Sequence, residues 1–150
     1  MSWRAGPFVL RLRRLLPAPP ERVFAALTRP EDLARWWGPR LFTTPEIELD
    51  LRAGGRYRFT MQPPEGEVFH VSGEFLEIAP PSWLSYTFRW DEPTPDDQET
   101  VVELTVDEFG GAAGLSLWQG EFATGERLVL HRHGWTDSLD KLTALLGTRA

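Results

Sequence analysis

Residues 125–146, GERLVLHRHGWTDSLDKLTALL, contain the strongest helical pattern in the chain. No proline interrupts this stretch, and apolar or aromatic side chains recur every three or four residues, which places them on one face of a helix. These positions are Leu128, His131, Trp135, Leu139, Leu142 and Leu146. A helix of about 20 residues is roughly 30 Å long, the width of a small domain. We therefore expect a long C-terminal helix with one buried face.

Ahead of this helix, apolar residues alternate with polar ones from Glu46 onward, which is typical of strands with one buried face. Glycine and proline turns divide this region into six strands. The alternation changes phase between Phe69 and Ile78, so we expect a β-bulge at Gly73 that bends the sheet.

The first part of the chain predicts one strand at 8–16 and two short helices, PPERVFAALT at 19–28 and PEDLARWW at 30–37. The element order is then one strand, two short helices, six strands and one long helix. An antiparallel sheet with helices on one face buries all these apolar faces, so we predict an α+β fold with a curved sheet around the last helix. We expect residues 1–150 to form one domain.

The composition of the chain excludes or disfavours several classes of protein. The net charge is −6, which disfavours a nucleic-acid partner, and there are no cysteines, which excludes disulfides and thiolate metal sites. Residues 1–16 carry four arginines without an acid, and residues 91–108 carry eight acids without a base; we interpret them as a solvated edge strand and a solvated hairpin. The segment 1–16 lacks the uninterrupted apolar core of a signal peptide, and no run reaches the roughly 18 apolar residues of a membrane span. A cytoplasmic location is the expectation.

The sequence predicts no catalytic residue, no metal and no cofactor. His131 and His133 are two positions apart, so on a helix they point in different directions and cannot share an ion, although on a strand they could. No serine lies in a GxSxG motif. Gly54-Gly55 fits a hairpin turn better than a phosphate loop. Asp96 and Asp97 lie in a polar, proline-rich loop, where we expect no apolar wall to raise a carboxyl pKa.

The inward strand positions and the helical face together predict an apolar cavity with few polar groups. His131 on this face has two interpretations: it is a polar group of the cavity that meets Tyr86 or Gln119, or it is a core histidine whose hydrogen bonds are satisfied within the protein. The predicted ligand-binding residues are Trp37, Phe59, Phe69, Val71, Tyr86, Phe88, Leu104, Gln119, His131 and Trp135. Trp36 and Trp37 could cover this cavity, with at least one of them packing against the sheet. Gly134 has two interpretations: it admits a bulky strand residue close to the helix backbone, or it widens the cavity.

The element order and four segments resemble the family of activator of Hsp90 ATPase homologues (AHSA1-like), in the START-like or Bet v 1-like (SRPBCC) superfamily. The segments are APPERVFAALTRPEDLARWWGP at 18–39, DLRAGGRYRFTM at 50–61, GEFLEIAPPSWLSYTFRW at 73–90 and HGWTDSLDKL at 133–142. The resemblance covers about residues 8–146 and implies a helix-grip fold with a pocket between the curved sheet and the last helix. Family members include lipid carriers and polyketide cyclases. Contact with Hsp90 is implied by family analogy alone, and a homodimer is open.

Three functions follow from these patterns. The leading hypothesis is a binding protein for a small hydrophobic or aromatic molecule. The second is a cyclase or dehydratase in which His131 or Tyr86 moves one proton in the same pocket. The third is a chaperone-linked protein–protein adaptor that uses an edge strand or the aromatic segment at Trp36 and Trp37.

Overall fold

A computed structural model describes residues 8–147 and confirms the expected order of elements. Its helices and strands are β1 (Leu10–Leu16), α1 (Pro20–Thr28), α2 (Pro30–Trp36), β2 (Thr43–Leu49), β3 (Arg56–Gln62), β4 (Phe69–Ala79), β5 (Trp83–Trp90), β6 (Thr100–Phe109), β7 (Ala112–Gly120) and α3 (Gly125–Gly147). Prolines begin both short helices, where the missing N–H has no helical partner to lose. A left-handed Gly38, with φ of 105°, follows α2 and its C-cap Trp37.

The strands form one curved antiparallel sheet in the order β1-β7-β6-β5-β4-β3-β2. Consecutive strands from β2 to β7 pair with each other through hairpins, whereas β1 pairs with β7, from Leu10 opposite Gln119 to Leu16 opposite Ala113. The predicted helix-grip fold is therefore confirmed, with α3 and the inward residues of the sheet in one apolar core.

The face of α3 that the sequence indicated is the buried one. Leu139 is 2% exposed and Leu142 is fully buried. The Trp135 indole Nε1 donates to Gln119 Oε1 at 2.7 Å, and Gln119 Nε2 donates to Thr100 Oγ1 at 2.9 Å. These bonds satisfy a glutamine side chain that is buried completely, as burial of an amide requires. They also join α3 to β7 and β6.

The β-bulge lies at Leu76, so its predicted position at Gly73 is wrong. The β4–β5 register is constant up to Phe75 and shifts before Glu77, which leaves Leu76 as the extra residue. Gly73 has another cause: a Cβ there would meet the backbone of Thr87 and lie 2.7 Å from Tyr57 Cε2. The Tyr57 ring crosses this position because its hydroxyl donates to Thr87 O at 2.6 Å. Glycine is thus needed because the Thr87 backbone and the Tyr57 ring approach the backbone of β4 closely at this position.

Two arginines of the basic segment, Arg13 and Arg14, form ion pairs with acids, whereas Arg4 lies outside the described residues. Arg13 contacts Asp107 at 3.1 Å, and Arg14 contacts Asp140 of α3 at 2.9 Å. The Arg13 and Asp107 side chains are each nearly half exposed, so the pair stabilises the fold little. No helix within residues 8–147 has the length and apolarity to cross a membrane.

Candidate functional site

A cavity of about 480 Å³ opens between α3, the loop at 37–42 and the loop at 91–99. Strands β3, β4 and β5 supply its floor. Six aromatic side chains line it: Trp37, Phe42, Phe69, Phe88, Trp90 and Trp135. The exposed residues of the lining form its mouth: Glu92, Thr94, Leu130 and His133. An aromatic interior with polar groups at its opening is typical of a small-molecule site.

Trp37 is the central ring of this wall. It contacts Trp135 edge to face at 5.3 Å between ring centroids and lies nearly parallel to Phe88 at 6.4 Å. Trp36 lies outside the lining: it is 1% exposed, and its indole Nε1 donates to Ala26 O at 2.8 Å. One tryptophan of the pair therefore packs between the short helices, and the other forms part of the cavity wall.

His131 is held neutral by its two hydrogen-bond partners. Its Nε2 accepts from the Trp90 indole at 3.1 Å, and its Nδ1 lies 2.8 Å from the carbonyl oxygen of Arg127. An indole N–H can only donate and a carbonyl can only accept, so the proton must sit on Nδ1. Burial lowers the pKa of His131, because a charged imidazole would lose hydration there. Protonation would also set two N–H groups against each other.

An ion pair joins the 91–99 loop to α3. Arg127 Nη2 contacts Asp97 Oδ1, and the two side chains are only 14% and 9% exposed. Asp97 Oδ2 accepts a further hydrogen bond from the Thr94 N–H at 2.7 Å. The expectation of a fully solvated hairpin is therefore wrong at Asp97, because the loop folds back onto the helix. The buried Arg127 Nε has no partner within residues 8–147.

The 37–42 loop is tied to α3 on the other side of the cavity. Ser138 Oγ accepts from the Gly38 N–H at 3.0 Å and lies 3.0 Å from Gly38 O and 2.9 Å from Gly134 O, so its hydroxyl has a choice of acceptors. Apart from its chain neighbours and the nearby backbone of α3, the only described atom within 4 Å of a Cβ placed on Gly134 is Pro39 Cγ, at 3.8 Å. No strand side chain crowds this glycine, so of its two interpretations the geometry favours the wider cavity.

Five of the ten predicted ligand-binding residues line the cavity: Trp37, Phe69, Phe88, His131 and Trp135. The other five lie outside the lining: Phe59, Val71, Tyr86, Leu104 and Gln119. All five are buried, with 5% exposure or less.

Tyr86 shows why. Its ring contacts Tyr57 at 5.3 Å and Phe75 at 6.0 Å, and the space beside it is only about 10 Å³. Burial raises the pKa of the Tyr86 phenol. The expected contact of His131 with Tyr86 or Gln119 is wrong, since its polar partners are Trp90 and the Arg127 carbonyl.

Sequence reasoning missed several residues of the lining. Trp90 and Met61 had a usable signal, because they continue the inward phases of β5 and β3. Arg127 also had a signal, because it lies one helical turn before His131 and therefore on the same face of α3. The loop residues Phe42, Glu92 and Thr94 had no periodic signal at all.

A metal centre would need several ligands in one place. Within residues 8–147, no group of three or more His, Asp or Glu side chains could hold an ion. His131 is buried and His133 is exposed, as their helical spacing predicts.

Comparison with known proteins gives one family and several solved structures. A family model described as activator of Hsp90 ATPase homolog 1-like protein matches residues 17–147. No curated protein matches the chain.

Three solved structures illustrate the structural likeness. Protein CV1439 from Chromobacterium violaceum is 31% identical with a TM-score of 0.86, and the match covers 96% of this chain and 100% of that one. The AHSA1 protein from Silicibacter pomeroyi is 34% identical with a TM-score of 0.80, over 92% of this chain and 96% of that one. CalU16 from Micromonospora echinospora is 26% identical with a TM-score of 0.72, over 93% and 76%.

Proposed function

The chain belongs to the activator of Hsp90 ATPase homolog 1-like family, and from this premise we propose that it binds a small hydrophobic or aromatic molecule between the curved sheet and α3. The observation that carries the proposal is the cavity of about 480 Å³ with six aromatic side chains in its lining. Ligand sites commonly enclose roughly 300–1,000 Å³. Apolar area removed from water supplies most of the binding free energy in such a site, while polar groups orient the ligand.

The same geometry favours binding over catalysis by the residues that the sequence suggested. A general acid or base must reach the reacting atom. Both ring nitrogens of His131 are already hydrogen bonded, and Tyr86 lies outside the cavity. A cyclase or dehydratase mechanism that uses either residue would first have to break these contacts. Contact with Hsp90 rests on the family description alone.

A plug in the cavity tests the proposal. Gly134→Leu adds a side chain at a helical position that faces the cavity, where leucine is also a better helix former than glycine. The matched control is Arg132→Leu, which adds the same side chain on the exposed side of α3. Each protein is titrated with the neutral dye N-phenyl-1-naphthylamine, whose fluorescence rises in apolar surroundings, and circular dichroism checks the fold.

We expect saturable binding at one dye per chain in the unmodified protein and in Arg132→Leu, and loss of binding in Gly134→Leu. Non-saturable binding, or equal affinity in the folded Gly134→Leu variant, would exclude this cavity as the site.

A further inference from the structure

The cavity lining contains three carboxylates, and their hydrogen bonding differs. Both oxygens of Glu92 contact His70. The backbone N–H of His70 donates to Oε1 at 2.9 Å, and its ring Nδ1 lies 2.6 Å from Oε2. Asp97 forms an ion pair with Arg127 and accepts a hydrogen bond from the Thr94 N–H. Asp137 accepts one hydrogen bond at Oδ2, from the Arg40 N–H at 3.0 Å. Within residues 8–147, its other oxygen receives none and remains available to a ligand.

Asp137 forms no direct ion pair within residues 8–147, although its charge opposes the lowering of the Lys141 pKa that burial causes. Among the described residues, no Lys or Arg nitrogen lies within 4.0 Å of its carboxylate, and Lys141, one turn later, donates instead to Pro39 O at 3.2 Å. Arg127, the one guanidinium in the lining, is paired with Asp97. With His131 neutral, the groups of the lining therefore carry more negative than positive charge.

The rest of the lining suits a cation as well. The faces of aromatic rings carry partial negative charge and attract ammonium groups that approach within about 6 Å. A carboxylate with a free oxygen in an aromatic cavity combines both forms of cation recognition. A carboxylate-bearing ligand would meet repulsion from the same groups.

We propose that the cavity selects ligands whose apolar or aromatic body carries a protonated amine, with Asp137 as the counter-ion. The inference rests on the proposed function, because it requires that the cavity take a ligand. The aromatic side chains contact the body of the ligand, and Asp137 Oδ1 accepts a hydrogen bond from the ammonium group. Glu92, the exposed carboxylate of the 91–99 loop, adds negative charge at the mouth, whereas the charge of Asp97 is balanced by Arg127.

Three probes with one ring system separate charge from apolar contact: 1-naphthylmethylamine, 1-naphthalenemethanol and 1-naphthoate. Each is titrated by calorimetry into the unmodified protein, Asp137→Asn and Asp140→Asn. Asparagine keeps an acceptor for the Arg40 N–H, removes the charge and replaces the oxygen that faces the ligand with an NH₂ donor. Asp140 is the matched control, since it lies on the same helix, outside the lining, with its side chain 64% exposed.

We expect the amine to bind roughly 2- to 30-fold more tightly than the alcohol, and the naphthoate to bind most weakly. Asp137→Asn should remove most of the advantage of the amine and leave the affinity for the alcohol unchanged, while Asp140→Asn should change neither. Equal binding of amine and alcohol, or an equal loss of both in Asp137→Asn, would overturn the amine selectivity and leave the cavity proposal intact. Failure of all three probes and of N-phenyl-1-naphthylamine to bind would overturn both proposals.

Discussion

Replacing Gly134 by alanine should stabilise the fold and weaken ligand binding at the same time. A glycine in a helix interior is less favourable than alanine by about 0.8–1.0 kcal/mol. The added Cβ would lie 3.8 Å from Pro39 Cγ, an ordinary van der Waals distance, so no steric term opposes this gain. We expect the free energy of unfolding to rise by about 0.5–1 kcal/mol. At roughly 2–4 °C in Tm per kcal/mol for a chain of this size, Tm should rise by about 1–4 °C.

The effect on binding has the opposite sign because the new methyl group points into the cavity. Extra volume in a filled apolar site typically costs about 1–3 kcal/mol. A loss of about 1 kcal/mol lowers the affinity roughly fivefold. The same substitution thus separates the two interpretations of this glycine, since a packing role predicts loss of stability and a cavity role predicts loss of binding.

Urea unfolding followed by circular dichroism measures the stability, and titration with N-phenyl-1-naphthylamine measures the affinity. Gly73→Ala serves as the contrast: its Cβ would lie 2.7 Å from Tyr57 Cε2 and against the Thr87 backbone, so it should destabilise by about 1–3 kcal/mol or more. The reasoning is refuted if Gly134→Ala lowers the free energy of unfolding, or if it binds the dye as tightly as the unmodified protein does.

Three further outcomes are expected. Leu139 is 2% exposed, so Leu139→Ala should lower the free energy of unfolding by about 2–5 kcal/mol, and an unmoved urea midpoint would place this side chain outside the core. Because burial lowers the pKa of His131 in the folded state, unfolding takes up a proton as the pH falls below the ordinary value of 6.5. Stability should therefore be complete above that pH and decline towards the folded-state pKa, and urea unfolding between pH 5 and 7 should show a shallower decline in His131→Gln; an identical slope would contradict the assignment. Dialysis against a strong chelator should leave Tm unchanged, since no metal-binding group of three side chains exists within residues 8–147; a fall that zinc reverses would contradict this expectation.

The order of elements could be predicted because each element carries its own period. The α3 face with Leu139 and Leu142 repeats at three and four residues, and the strands alternate in twos. The predicted position of the bulge is wrong because a glycine in a strand can mark either a bulge or the close approach of another group, and the two look the same in sequence. At Gly73 the cause is the Tyr57 ring, which is distant in the chain, so no local pattern reports it.

The cavity could be predicted only in part. Strand phase tells which face of the sheet a side chain occupies, but it does not tell where along the curved face it lies. Tyr86 and Trp90 share one phase of β5, yet they are about 13 Å apart along the strand. Tyr86 lies among Tyr57 and Phe75, whereas Trp90 lines the cavity. The 91–99 loop joins the site through a contact between Asp97 and Arg127 that only the folded chain creates.

Four expectations stay predictions from the sequence. They are one domain over residues 1–150, a cytoplasmic location, the absence of a nucleic-acid partner and the possibility of a homodimer.

The pairing of β1 with β7 sets the order in which the protein can fold during synthesis. Arg13 and its neighbour Ser116 are 103 residues apart in the chain, and at translation rates of about 5–20 residues per second the ribosome needs roughly 5–20 s to make that span. Until then β1 has no strand beside it, and the side chains of Leu10 and Leu16, which end fully buried, stay in water or on another molecule. Contacts between α3 and the 37–42 loop, such as that of Ser138 with Gly38, form later still. The first strand therefore stays unpaired for most of the synthesis of the sheet, and the cavity is completed only when α3 has left the ribosome.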